Sequence, residues 1–140
     1  LEEDSKDENL IIDLLSLMHQ NKADYTNTFC FLMNENIQED KIYENQRFIS
    51  WKQQWQERLK LHNNSPEESL KLMRSANPLV IPRNHKVEEA LYAATTNNDL
   101  MEIHNLLKVL KNPYKNSSEI ANYQSSPPPR NETYKTFCGT

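Results

Sequence analysis

Asn77-Pro78-Leu79-Val80-Ile81-Pro82-Arg83-Asn84 is followed at once by a two-helix pattern from His85 to Asn112. Two prolines bracket three apolar residues. Proline lacks an N–H, fixes its own φ and disfavours the α region for the residue before it. Asn77 and Ile81 are therefore biased towards extended backbone, and the segment reads as a buried, non-helical crossing. Asn84 offers a side-chain oxygen as N-cap of the helix that follows. Val87, Ala90, Leu91 and Ala94 lie on that helix, Asn97-Asn98 ends it, and Asp99 can cap a last one. The last helix carries Leu100, Ile103, Leu106, Leu107 and Leu110 and stops at Asn112-Pro113. The short link at 97–99 makes the two helices an antiparallel pair.

Working back from the crossing, Ser65-Pro66-Glu67-Glu68 combines three helix-start signals: an N-cap serine, a proline in the first turn, and a glutamate three residues on. That helix holds Leu70, Leu72 and Met73. A longer helix over about 43–61 places Phe48, Trp51 or Lys52, Trp55 and Leu59 at the 3.6-residue period. Residues 34–42 read as a polar connection. Asp24 caps a helix with Tyr25, Phe29, Leu32 and Met33 on one side, widened by Cys30 and Phe31. Another helix runs over about 9–21, with Leu10, Leu14, Leu17 and Met18 inward, after a capping box at Ser5-Lys6-Asp7-Glu8 or a cap at Asp7.

The expected fold class is all-α, with about six helices in a subdomain over 9–112. A mobile acidic end over 1–8 precedes it, and an extended, proline-rich tail over 113–140 follows. The tail holds four of the chain's seven prolines.

Composition narrows the chemistry. The 140-residue chain has one glycine, Gly139. Loops that cradle phosphate need glycine so that backbone N–H groups can approach the anion. No such loop fits here, and glycine-dependent tight hairpins are equally disfavoured. A formal net charge of −4 argues against general nucleic-acid binding. No apolar run approaches the roughly 18 residues of a membrane span. Leu1-Glu2-Glu3-Asp4 is acidic, unlike a signal peptide, and reads as the cut edge of a longer chain. Two distant cysteines form no disulfide framework, so a cytoplasmic setting is expected.

The stretches NPLVIPRNHKVEEAL, NNDLMEIHNLLKVLKNPY and YQSSPPP, the closing Cys-Gly-Thr, and upstream ADYTNTFCFL with the tryptophan-bearing helix resemble the C-terminus of the selenoprotein O family (also called YdiU or UPF0061). The resemblance covers most of the chain and is most specific over 77–113. It implies a parent protein with a kinase-like (pseudokinase) fold. Such a protein transfers AMP from ATP, with magnesium or manganese, to protein hydroxyls. The family's phosphate-holding, metal-binding and catalytic residues lie upstream, and none carries over to a position here. This part would then be structural or regulatory. Its partners would be the kinase-like lobe of the same chain and the parent's protein substrates, with no nucleic acid and no membrane. The alternative is a non-enzymatic helical protein-interaction module.

Histidines 19, 62, 85 and 104 are far apart and read as surface or edge residues rather than metal ligands. The carboxylates read as caps and solvated faces. Trp51, Trp55 and Phe48 read as core. Arg83, between a buried crossing and a helix start, fits a structural tie to a carboxylate or to backbone carbonyls, or alternatively a phosphate contact. Cys30 reads as a buried, inert thiol. Cys138, beside Gly139, is a candidate redox residue or an ordinary exposed cysteine. The resemblance raises the redox reading, because the family often ends in a Cys-x-x-Cys-type pair, of which Cys138 matches the second position. Lys135 stands at the first, so a local pair is absent.

Overall fold

A computed structural model describes residues 5–33, 41–61 and 65–127. Among them are seven α-helices, one 3-10 turn and no strand, so the fold is all-α. The first helix, α1 (Ser5–Asn21), starts four residues earlier than expected. Asp7 and Glu8 therefore lie inside its first turn, where the N-terminal end of the helix dipole favours negative charge. The turn after α1 is closed by Lys22 in the left-handed region at φ 52°.

The next helix, α2 (Tyr25–Leu32), is capped by Asp24, whose side chain accepts from the Asn27 N–H. Its inward side differs from the expected one. Tyr25 is 62% exposed, whereas Asn27, Thr28, Cys30 and Leu32 are buried. The reason is that α2 stands between two cores and shows each a different edge. Leu32 joins Leu14, Leu17, Met18, Ile42, Phe48 and Trp51 in the first. Cys30 and Met33 join Leu79, Val80, Val109 and Ile120 in the second.

The expected helix over 43–61 is divided. Lys41–Glu44 form a 3-10 turn, Asn45 caps, and α3 (Gln46–Lys60) follows. The division lets Tyr43 lie flat on Phe31, with ring centroids 3.8 Å apart and planes within 2°. Phe48 and Trp51 are buried as expected, and Trp55 packs partly buried against them. The Trp51 indole N–H donates to the Leu10 carbonyl at 2.8 Å, fixing α1 along α3. Arg58 grips Asp7 from the same side at 2.6 and 2.9 Å.

The capping box at Ser65 is present in both directions, and α4 (Pro66–Ala76) follows it. The crossing is then as its prolines require. Asn77 is extended at φ −112° and ψ 112°, and Leu79 and Val80 are buried. Each large apolar side chain so buried stabilises by roughly 1.5–3 kcal/mol. Leu79 is also held like a strand residue. Its N–H donates to the Pro113 carbonyl at 2.7 Å, and its carbonyl accepts from the Gln124 amide at 2.9 Å.

Beyond the crossing, α5 (Asn84–Asn97) and α6 (Met101–Leu110) pack together across a short link. The N-cap of α5 is Arg83, not Asn84. Asn84 is already helical and exposed, while the Arg83 carbonyl accepts from Lys86 and Val87. Asn98 ends α5 in the left-handed region. The N-cap of α6 is Leu100 rather than the expected Asp99, whose side chain accepts from the Met101 N–H from one residue further out. Leu91, Leu100 and Leu107, expected on the inner faces, are about half exposed. Val109 takes an inward position instead.

The segment after Pro113 is not extended throughout. It turns, buries Ile120 in the second core and forms α7 (Ala121–Gln124). Ile120 with Tyr123 packed beside it, and Gln124 bonded to Leu79 and Asn27, seat it on the body. Residues 128–140 of the expected tail lie outside the described residues.

Candidate functional site

A connected polar group among the described residues centres on Arg83. Because Arg83 is the N-cap of α5, its extended backbone aims the side chain back across the crossing towards the start of α2. There Nη1 donates to Asp24 Oδ2 at 2.5 Å, and Nη2 donates to Asp24 Oδ1 at 2.9 Å and to Asn27 Oδ1 at 3.1 Å. A planar guanidinium suits this two-pronged grip on a carboxylate. Asn27 passes the connection on, since its amide donates to the Gln124 carbonyl at 3.0 Å. Ser126 adds a long contact to Asp24 Oδ2 at 3.4 Å.

Three segments distant in sequence therefore meet at one buried polar knot: the cap of α2, the end of the crossing and the turn after α7. Burial pushes the Asp24 carboxyl up. The hydrogen bonds from Arg83 and the Asn27 N–H, the Arg83 charge and the Ser126 hydroxyl outweigh burial and hold it below the usual carboxylate range. The guanidinium face is taken up by Asp24 and Asn27. Its Nε is buried without a hydrogen-bond partner among the described residues.

The second feature is a row of aromatic rings. Phe31, Tyr43, Phe48, Trp51 and Trp55 follow one another at centroid distances of 3.8 to 6.0 Å, ending in a Trp51–Trp55 pair with planes within 6°. The Lys52 ammonium lies 4.5 Å from the Phe31 ring centroid. Beside Trp55 a groove of about 710 Å³ opens between α3 and α4, lined by Lys52, Leu59, Lys60, Leu70 and Met73 among others.

The other named residues divide as follows. Cys30 is fully buried, with its thiol directed at the Pro78 carbonyl at 3.8 Å. Cys138 and His62 lie outside the described residues. His19 and His104 are exposed, but His85, expected at the surface or an edge, is buried. It occupies the first turn of α5. Among the described residues no group of three or more His, Cys, Asp and Glu side chains is placed to hold a metal ion. No described helix is long and apolar enough to cross a membrane. Asp24 was readable as a cap, but its pairing with Arg83 joins residues 59 apart and has no local signal.

Residues 1–111 match the family model described as protein adenylyltransferase SelO. Over 138 residues the chain is 49% identical to the protein nucleotidyltransferase YdiU of Pelagibacter ubique, covering 99% of this chain and 28% of that protein. It is 44% identical over 137 residues to the proteins of the same name from Bacillus cereus strain ATCC 14579 and from Bacillus anthracis, covering 98% of this chain and 28% of each. The chain thus spans little more than a quarter of the length of these relatives.

Proposed function

The chain belongs to the protein adenylyltransferase SelO family, and on that premise we propose that it is the helical part of a longer, kinase-like nucleotidyltransferase. That protein transfers AMP from ATP to serine, threonine or tyrosine hydroxyls of other proteins. The observation that carries this reading is the 49% identity to a protein nucleotidyltransferase over almost the whole chain.

The composition of the described residues supports placing ATP and its metal ion elsewhere in the longer protein. They include no glycine and no cluster of metal-ligating side chains. ATP and magnesium or manganese would be held by the remaining part of the protein, and no catalytic step is assigned to the residues described here. Their part is to support the catalytic lobe of the same polypeptide. Arg83 serves this as a structural tie. Its fork is occupied by Asp24 and Asn27, so a phosphate would have to displace a carboxylate already in place. Cys138 remains the residue to examine for redox control. Replacing it with serine in the longer protein should abolish any loss of activity on oxidation, and an unchanged response would remove it from consideration. The protein's setting on this reading is the cytoplasm.

The test is direct. The longer protein, incubated with ATP, magnesium and an acceptor protein, should produce an AMP adduct on hydroxyl side chains that mass spectrometry detects. The 140-residue chain alone should produce none. Transfer by the chain alone would overturn the supporting role, and a folded longer protein that transfers no nucleotide to any acceptor would overturn the reading as a whole.

A further inference from the structure

We propose that residues 113–127 form a strap that opens as a unit while the rest of the body stays folded. Its opening loosens the crossing above Cys30 and makes that buried thiol reactive. The inference goes beyond the reading above and holds whether or not the longer protein transfers AMP.

The strap is lightly held. Among residues 113–127 only Ile120 and Gln124 are buried. Its helix, α7, is four residues long, too short to be stable by itself in water. The Lys108–Glu119 ion pair joins it to α6, but both side chains are exposed, and such pairs contribute little. Segments with few buried apolar contacts open at a lower free energy than the whole fold.

The strap's anchors fall on the two elements that enclose Cys30. On α2, Asn27 donates to the Gln124 carbonyl three residues before Cys30. On the crossing, the Pro113 carbonyl takes the Leu79 N–H, and the Gln124 amide takes the Leu79 carbonyl. Leu79 follows Pro78, whose carbonyl lies 3.8 Å from the Cys30 sulfur. Ile120 shares the second core with Cys30, Leu79 and Val80. Release of the strap therefore removes two main-chain bonds from the crossing, one side-chain bond from α2 and one apolar contact, all close to one thiol.

The body keeps a fastening that does not depend on the strap. Arg83, at the far end of the crossing, stays bonded to Asp24 and Asn27. The first core has no member from the strap. With the crossing pinned at Arg83 and freed at Leu79, the end that moves is the one over Cys30. A cysteine in a rigid core is inert. Under a strap it reacts in proportion to the time the strap is open.

That proportion is the test. In the longer protein, iodoacetamide labelling of Cys30 is followed by mass spectrometry of its own peptide, which separates it from Cys138, and amide exchange is read on the same sample. Amides of residues 116–127 should exchange faster than those of α3. Local opening exposes little surface, so low urea should leave the Cys30 rate almost unchanged. Ile120→Ala should raise that rate at least about thirtyfold, and Gln124→Ala at least about fivefold, with α3 exchange unaltered. Trp51→Phe, in the other core, should leave it unaltered. Labelling that climbs with urea in step with α3 exchange, or that Trp51→Phe raises as much as Ile120→Ala does, would overturn the proposal, since the thiol would then be reached only by unfolding of the whole. Free exchange over 116–127 with Cys30 still unlabelled would overturn the link between strap and thiol. The urea dependence needs no substitution, so it decides the matter even where a variant does not fold.

Discussion

Arg83 and Asp24, 59 residues apart, share two parallel hydrogen bonds, from Nη1 to Oδ2 at 2.5 Å and from Nη2 to Oδ1 at 2.9 Å. The same carboxylate caps α2. One side chain therefore sets the start of a helix and fixes the crossing against it.

Removing one partner should be costly. Arg83→Met leaves a carboxylate in a largely buried place and is expected to lower stability by about 3 kcal/mol in urea unfolding. Asp24→Asn keeps an oxygen for the Asn27 N–H. Combined with Arg83→Met, it should recover at least about 1 kcal/mol relative to the sum of the single changes. Additive losses would mean that the two side chains do not act as a unit.

The pair also predicts the direction of acid sensitivity. Asp24 has a lowered pKa in the folded chain, against an ordinary value of 3.8. Between those two values the unfolded chain binds more protons than the folded one, so stability rises with pH. The contribution is complete above the ordinary value and is lost as pH falls through the folded one. The urea midpoint should therefore drop less between about pH 5 and pH 2.5 in Asp24→Asn than in the unmodified chain. Equal drops would exclude Asp24 as a source.

At α4 the Ser65 hydroxyl accepts from the Glu68 N–H at 3.2 Å, and the Glu68 carboxylate accepts from the Ser65 N–H at 2.9 Å. Ser65→Ala should cost about 1 kcal/mol. Ser65→Asp should restore most of it, a contrast readable from thermal melts by circular dichroism.

Trp51→Phe keeps an aromatic ring in the first core and loses the hydrogen bond to the Leu10 carbonyl. A loss of about 1 kcal/mol is expected, with faster amide exchange in the first turns of α1 than in α4. Uniform acceleration through both helices would show that the bond does not act locally on α1.

Local signals in the sequence identified much of this fold. The Ser65 box, the Asp24 cap and the proline-bracketed crossing each depend on neighbours within a few residues, and each stands where it was expected. What was missed depends on distant partners. Tyr25 carries an apolar ring at helical spacing, but α2 turns its Asn27 and Thr28 edge inward because Arg83 and Gln124 meet Asn27 there. Asn84 is the better capping side chain, yet Arg83 takes the position because its guanidinium is held from the other side. Ile120 lies in a polar, proline-rich context, where a single isoleucine gives no periodicity to read. The family was legible in the crossing and the hairpin. The polar knot was not, since no local pattern links residues 24, 83 and 124.

The tie between Asn27 and Gln124 spans 97 residues. During synthesis from the N-terminus, α2 emerges long before the segment that completes its surroundings. The first core, built from residues 14 to 51, has all its members early. The second needs Ile120 from near the end of the described chain. Cys30, Met33 and Val80 then lack one wall of their core until Ile120 has left the ribosome. A stall or truncation between residues 113 and 120 would leave a chain with one finished core and one open one, the kind of species that chaperones and proteases recognise.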